Sequence, residues 1–390
     1  MSIIKFPAKK INKKKITIFI SIISILVLIL VLGIIYFFNS SFRAFMDIYI
    51  FRKEIKSDNL SYISISTDED QYFHAYDKYI SILNKKILYT YNSSGQEVAK
   101  NDINISSPIF ANNNKFLVIA ENNGNTIYML SGTNIVWQNT LDGNISKINV
   151  NKNGYVSAII TGTSYKSIVI SFDAKGNELF KTYLSSNLAI ATDISHDNKY
   201  LSIAEIDYSG SIAKCMIKNI SIEKAKSDPT NSVISTHNIE NNNLLLNIKY
   251  QDKGNLIYIT SNNIHKLNVT DSTDTELLNY NNEYEFFDIN LKNNIVYTFN
   301  KNQGFTSISH VNILNVNTNS SNEYSFKGSI KSLFTNEEKL AINTGSEVHF
   351  IGLNGWLIKK YDSYSEINNI ILGDSIAGIV CKDKIKILEI

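Results

Sequence analysis

Short apolar runs separated by clusters of polar turn formers recur along most of this chain. The pattern is plainest in Asp193–Glu205, DISHDNKYLSIAE. Ile194 ends one apolar stretch. Ser195, His196, Asp197 and Asn198 follow, and short polar side chains of this kind hydrogen-bond their own backbone in turns. Tyr200, Leu201, Ile203 and Ala204 then open the next stretch, so the segment predicts two short strands joined by a tight turn.

The same unit returns at Phe73–Leu83, Pro108–Glu121, Ile148–Ile160, Ile248–Thr260, Ile289–Phe299, Ser332–Asn343 and Ile370–Val380, which with the first makes eight. A third apolar run follows each hairpin, for example Thr126–Leu130, Ser167–Phe172 and Glu347–Leu353. In most units a turn and a fourth run come next, as in Asn92–Lys100, Ser131–Thr140, Asp173–Tyr183 and Leu353–Tyr361. Four strands, a to d, in about 40 residues is the spacing of propeller blades. The expectation is an all-β domain over 61–390: a β-propeller of eight four-stranded blades, with seven as the alternative count. The last unit stops at its third strand, Lys384–Ile390. The isolated strand-like run Tyr62–Ser66 is expected to supply the missing fourth strand and close the ring, because closure removes open sheet edges.

The N-terminus has a different pattern. Lys5, Lys9, Lys10, Lys13, Lys14 and Lys15 form a basic tail, residues 1–15, before an uncharged apolar run at 16–38. That run would be about 34 Å long as a helix, enough to span a bilayer. It is longer than the apolar core of a cleaved signal peptide, and Phe37, Phe38 and Asn39 follow it in place of small residues. An uncleaved signal anchor is expected, with the lysine-rich tail in the cytoplasm and the rest of the chain outside it. Residues 39–60 read as a juxtamembrane stalk. Phe42, Phe45, Met46 and Tyr49 recur there at helical spacing, which fits either a short surface helix or a continuation of the anchor.

These residues carry a resemblance. The S-x-D-N-K-Y-L hairpin at 195–201 looks like the strand–turn–strand units of TolB-like and WD-repeat propellers, and the Gly132 turn leading to Ile135, Val136 and Trp137 is similar to quinoprotein-type repeats. The whole arrangement resembles a family of uncharacterised, membrane-anchored bacterial propeller proteins from clostridia. That resemblance implies a fold and a cell-membrane location, and no assigned chemistry.

Composition narrows the function. The net charge of +2 gives no general pull toward nucleic acid, and no nucleic-acid partner is expected. The six histidines are scattered without an HExxH-type spacing, and no nucleophile elbow or phosphate-cradling loop occurs. Asp193, Asp197 and Asn198 lack the ordered spacing of a calcium loop and read as turn residues, with His196 facing solvent. Cys215 and Cys381 read as buried small hydrophobes, with a disulfide between them left open. No cofactor, metal or catalytic residue is expected.

In a propeller the a–b and c–d loops share one face and the b–c and d–a loops the other. A stalk entering through Tyr62–Ser66 would turn the first face, with the insertion Glu223–Asn231 and its Lys224 and Lys226, toward the membrane. The longer b–c loops, 161–166, 207–211 and 300–306, would point outward, and their aromatics Tyr165, Tyr208 and Phe305 are the candidate partner contacts. The expected function is a non-enzymatic binding or scaffold module of the cell envelope. It would be held to the lipid bilayer by 16–38 and engage an envelope protein or polysaccharide. Two other readings stay open: an extracytoplasmic quinoprotein-like oxidoreductase, and a sensor signalling through its membrane helix.

Overall fold

The computed structural model describes residues 13–51, 53–56, 60–67, 69–240, 243–280, 284–303 and 306–390. It contains two compact units, Met1–Glu54 and Ile55–Ile390.

In the first unit, helix α1 spans Lys13–Phe38. Its Ile18–Phe38 portion is long and apolar enough to cross a membrane, and its side chains are exposed along nearly the whole length. The helix does not simply run on. Asn39 takes an extended conformation, and its side chain accepts the backbone N–H of Phe42, capping a new helix, α2, at Ser40–Phe45. A π-helical turn follows at Met46–Ile50. Asp47 is buried there. It accepts the Tyr36 hydroxyl at 2.8 Å and pairs with the Lys53 ammonium at 2.9 Å, which satisfies its charge.

The second unit is a ring of eight antiparallel sheets, seven of four strands and one of five, whose blades run in sequential strand order except where an early strand joins a late blade. Blades 1 to 4 start at Gln71–Tyr76, Pro108–Asn113, Asn144–Val150 and Leu188–Ile194. Blades 5 to 8 start at Leu245–Tyr250, Phe286–Asp288, Ser332–Asn336 and Asn369–Leu372. These are the a strands. The seven-blade count is excluded. The segment expected to be stalk up to residue 60 also contributes: the propeller unit begins at Ile55, and the short strand Glu54–Lys56 is the fifth and outermost strand of blade 7's sheet.

Strand periodicity explains the packing. The b strands are apolar on both faces because each face meets a neighbouring blade. In FLVIAE of blade 2, Leu117 and Ile119 pack toward blade 1, whereas Val118 and Ala120 pack toward blade 3. The d strands lie outside and alternate, as in Asn134–Thr140, where only Trp137 is buried. The buried apolar residues fall into eight clusters, one at each junction between adjacent blades. The junction of blades 8 and 1 has its own cluster, built on Ile63, Ile80, Ile376 and Ile385, so the ring is closed.

Closure comes from the expected strand. Tyr62, Ile63 and Ser64 pair with Lys386, Ile385 and Lys384 and become the d strand of blade 8. The backbone N–H of Ile387 adds a bond to the Ser61 carbonyl, and that of Ile65 one to the Asp383 carbonyl. Gly95 sits against this strand at φ +76°, and a Cβ there would lie 3.0 Å from the Tyr62 carbonyl oxygen. Glycine is therefore needed both for the turn and for the close approach. The insertion after Ser221 is no open loop. Ser221 caps a helical turn, α3, at Ile222–Ser227, whose Ile222 and Ala225 are buried against blades 3 and 4 while Lys224 and Lys226 stay outside.

Candidate functional site

Two surfaces stand out: the polar wall of the central channel and an exposed tyrosine cluster on the b–c loops.

The a strands line the channel. They touch one another in sequence from blade 6 through blades 7, 8 and 1 to blade 5. On the side of blades 2 to 5 they enclose a cavity of about 330 Å³ whose lining is dominated by amides and ammonium groups, including Asn112, Lys147, Asn149, Asn247 and Lys249. At its wall lies Asp193, only 6% exposed. Its Oδ1 accepts Asn149 Nδ2 of blade 3 and the backbone N–H of Ile194, both at 2.8 Å. Its Oδ2 accepts the backbone N–H of Tyr250 of blade 5 at 2.6 Å. One carboxylate thus joins three consecutive inner strands. Burial pushes its pKa up to about 6, against the opposing pull of the Tyr250 N–H, Lys249, the Ile194 N–H and Asn149.

The sequence reading of this hairpin holds in part. Asp197 and Asn198 are turn residues: Ser195 Oγ donates to Asp197 Oδ1 at 2.8 Å, and Asn198 adopts φ 61°. Asp193 is not one of them. It precedes the turn, on the strand, and its partners come from other blades. His196 also differs from expectation. It is half-buried, its backbone N–H donates to the Asp252 carbonyl of blade 5, and burial with Lys152 and Lys249 nearby lowers its pKa to about 4.

Further amides tie the a–b turns together. Asn151 donates to the Ser195 carbonyl at 3.0 Å between blades 3 and 4, and Gln251 donates to the Ile289 carbonyl at 2.9 Å between blades 5 and 6. His74 of blade 1 reaches Asn112 of blade 2 at 3.0 Å and stacks on Phe110, with ring centroids 4.9 Å apart. Burial lowers the His74 pKa to about 4.

On the other face, the b–c loops of blades 3 and 4 come together. Tyr165 packs on Tyr183 with ring centroids 4.8 Å apart. The Lys166 ammonium lies 4.7 Å over the Tyr208 ring and 2.8 Å from its hydroxyl oxygen. The loops are held from below: the Lys166 N–H donates to the Leu184 carbonyl, and Asp207 Oδ1 accepts the N–H and hydroxyl of Ser209. Tyr165, Tyr183, Tyr208 and Ile212 are all exposed. Two of the three aromatics expected from sequence therefore meet through Lys166, while Phe305 lies outside the described residues. Tyr183 was missed. Its signal is the alternation of ELFKTYL, in which Phe180 and Leu184 point inward and leave Tyr183 outside.

Cys215 and Cys381 are buried free thiols in different inter-blade clusters, at blades 4–5 and 7–8, so they do not pair.

This ring of eight blades, carrying polar ties inside and aromatics on one loop face, is a β-propeller, and the chain belongs to the family of unknown function DUF5711, which matches residues 53–390. No curated protein matches the sequence. Among solved structures, Sqt1 from Chaetomium thermophilum is similar with a TM-score of 0.52 and 10% identity, over 85% of this chain and 98% of that one. BamB from Moraxella catarrhalis has a TM-score of 0.49 and 11% identity, over 85% and 99%. Kuenenia stuttgartiensis hydrazine synthase has a TM-score of 0.43 and 10% identity, over 84% and 97%. At such identities the likeness is one of fold.

Proposed function

We propose that the protein is a membrane-tethered, non-enzymatic binding module, and that the tyrosine cluster of blades 3 and 4 contacts a polysaccharide of the cell envelope. The observation that carries this reading is the pairing of exposure with anchorage at Tyr165, Tyr183 and Tyr208. Their rings are open to solvent, yet the tilted contact of Tyr165 with Tyr183 and the Lys166 bond to Tyr208 hold their positions. A fixed aromatic face with a hydroxyl at its rim matches a sugar, which presents C–H bonds on one side and hydroxyls at its edge. Tyrosine supplies that contact area with little rotamer entropy to lose. The apolar helix α1 and the lysines before it support a bilayer anchor with the propeller outside the cytoplasm. Among the described residues lining the cavity of blades 2 to 5, the one carboxylate, Asp193, is already committed to three N–H donors, which favours binding over acid–base chemistry there.

The test uses the full chain in lipid nanodiscs with purified wall polysaccharide as the probe. Binding is expected, with the Tyr165→Ala/Tyr208→Ala double variant weaker by about tenfold or more, or about 1.4 kcal/mol, at unchanged melting temperature. Equal binding by the double variant, or none by the natural protein, contradicts the proposal.

A further inference from the structure

The channel cavity does something the tyrosine cluster does not: its lining carries more cationic than anionic side chains. We propose that the central channel is a second binding site, for a small polyhydroxylated oxyanion of the sugar-phosphate or sugar-carboxylate class, held by Lys147 and Lys249.

Lys147, on the inner strand of blade 3, reaches the cavity, and among the described residues its ammonium has neither an acceptor nor a carboxylate at ion-pair distance. Its neighbours crowd it enough that desolvation lowers its pKa. Lys249, two blades on, donates only to a neutral acceptor, Asn290 Oδ1, at 3.1 Å. The nearest carboxylate in the wall, Asp193, lies between the two lysine-bearing strands, and the amide donors of Asn149 and Tyr250 already occupy it. The cavity therefore sets two lysine ammonium groups against one carboxylate, an excess of one positive charge, and a concave site focuses such a field. Charge-assisted bonds to an oxyanion are stronger than neutral ones.

The rest of the lining argues for hydroxyls on the ligand. The Asn247 amide has no partner among the described residues, and it sits two residues from Lys249 on the same strand. A free amide offers one acceptor and two donors, which suits vicinal hydroxyls. The volume, about 330 Å³, falls at the small end of ligand pockets. The adjoining recess of about 270 Å³ carries Glu337, Glu338 and Asp374 together with Lys152 and Lys339. Its carboxylates belong to blades 7 and 8 and have Lys339 of blade 7 beside them, whereas Lys147 and Lys249 stand on blades 3 and 5.

The site lies on inner strands and a–b turns, away from the b–c loops, and stands independently of the polysaccharide proposal. Calorimetry on the full chain in detergent, with glucose 6-phosphate, glucuronate, glucose and inorganic phosphate as probes, tests it. The two sugar anions are expected to bind, glucose not to bind, and inorganic phosphate to bind more weakly than the sugar phosphate. Lys147→Gln, a change at a solvent-reached side chain without partners, is expected to weaken sugar-anion binding about tenfold, equivalent to about 1.4 kcal/mol. No binding of either sugar anion at millimolar concentration, or an unchanged affinity in Lys147→Gln, overturns the site. Equal binding of inorganic phosphate and sugar phosphate overturns its polyhydroxyl part.

Discussion

Asp193 Oδ2 accepts the backbone N–H of Tyr250 at 2.6 Å, which fastens the inner strand of blade 4 to that of blade 5. Its other oxygen holds Asn149 of blade 3. Asp193→Ala would leave the Tyr250 N–H buried without its acceptor and reduce Asn149 to its bond with the Thr192 carbonyl, at a cost of about 2–4 kcal/mol of stability. Asp193→Asn keeps one acceptor but turns an NH2 toward a donor, so it is expected to fall between. Urea denaturation at pH 7.5 checks the order: natural chain, then Asn, then Ala. Identical midpoints would show that the inner ring does not depend on this carboxylate.

His74 makes the fold sensitive to acid. Its folded pKa of about 4 lies below the ordinary histidine value of 6.5, so the neutral ring is what the folded state accommodates. The stability it contributes is present above pH 6.5 and is lost as pH falls through about 4. At pH 4 the loss amounts to about 3 kcal/mol. Asp193 works in the opposite direction. Burial raises its folded pKa to about 6, so the proton-linked part of its contribution is full below its ordinary value of 3.8 and is lost as pH rises through about 6, while the hydrogen bonds that its carboxylate accepts remain at pH 7.5. The informative quantity is therefore the difference between the natural chain and His74→Gln. That gap is expected to close or reverse in favour of the variant between pH 6.5 and 4, and parallel pH profiles would contradict it.

The ring is closed by Tyr62–Ser64 on Lys384–Lys386, and Ser64 lies directly opposite Lys384. Facing residues of an antiparallel pair have Cα atoms about 4.5–5.5 Å apart, within reach of a disulfide. A Ser64→Cys/Lys384→Cys chain is expected to cross-link under mild oxidation and to melt higher than its reduced form. Failure to cross-link while folded would place this strand elsewhere. Ile63→Ala, which hollows the cluster between blades 8 and 1, is expected to cost about 2–4 kcal/mol by the same denaturation assay.

The ring was legible in the sequence because propeller blades are local. Hairpins such as Tyr200–Asp207 on Leu188–Ile194 pair neighbours in the chain, so turn residues and apolar period reveal them directly. Even the closing strand could be found, because a third strand without a fourth leaves an edge to fill. The inner ties could not. Asp193, Asn149 and Tyr250 are far apart in sequence and meet only because blades 3, 4 and 5 stand side by side, so Asp193 next to Ser195–Asn198 looked like one more turn residue. Glu54–Lys56 was hidden for a similar reason: its partner strand, Leu357–Asp362, is some 300 residues further along the chain. The tyrosine cluster was half visible, since Tyr165 and Tyr208 stand on loops, whereas Tyr183 is on a strand.

The central claim is that a membrane-tethered propeller presents its b–c loops outside the cytoplasm, and thiol accessibility tests it most directly. The two native thiols are buried and give little background. Ser209 is exposed beside Tyr208, so Ser209→Cys places one reactive thiol on the proposed contact face. A membrane-impermeant maleimide applied to intact cells producing this variant is expected to label it fully and to leave the natural chain unlabelled. Labelling that appears only after lysis would put the propeller in the cytoplasm and contradict the account.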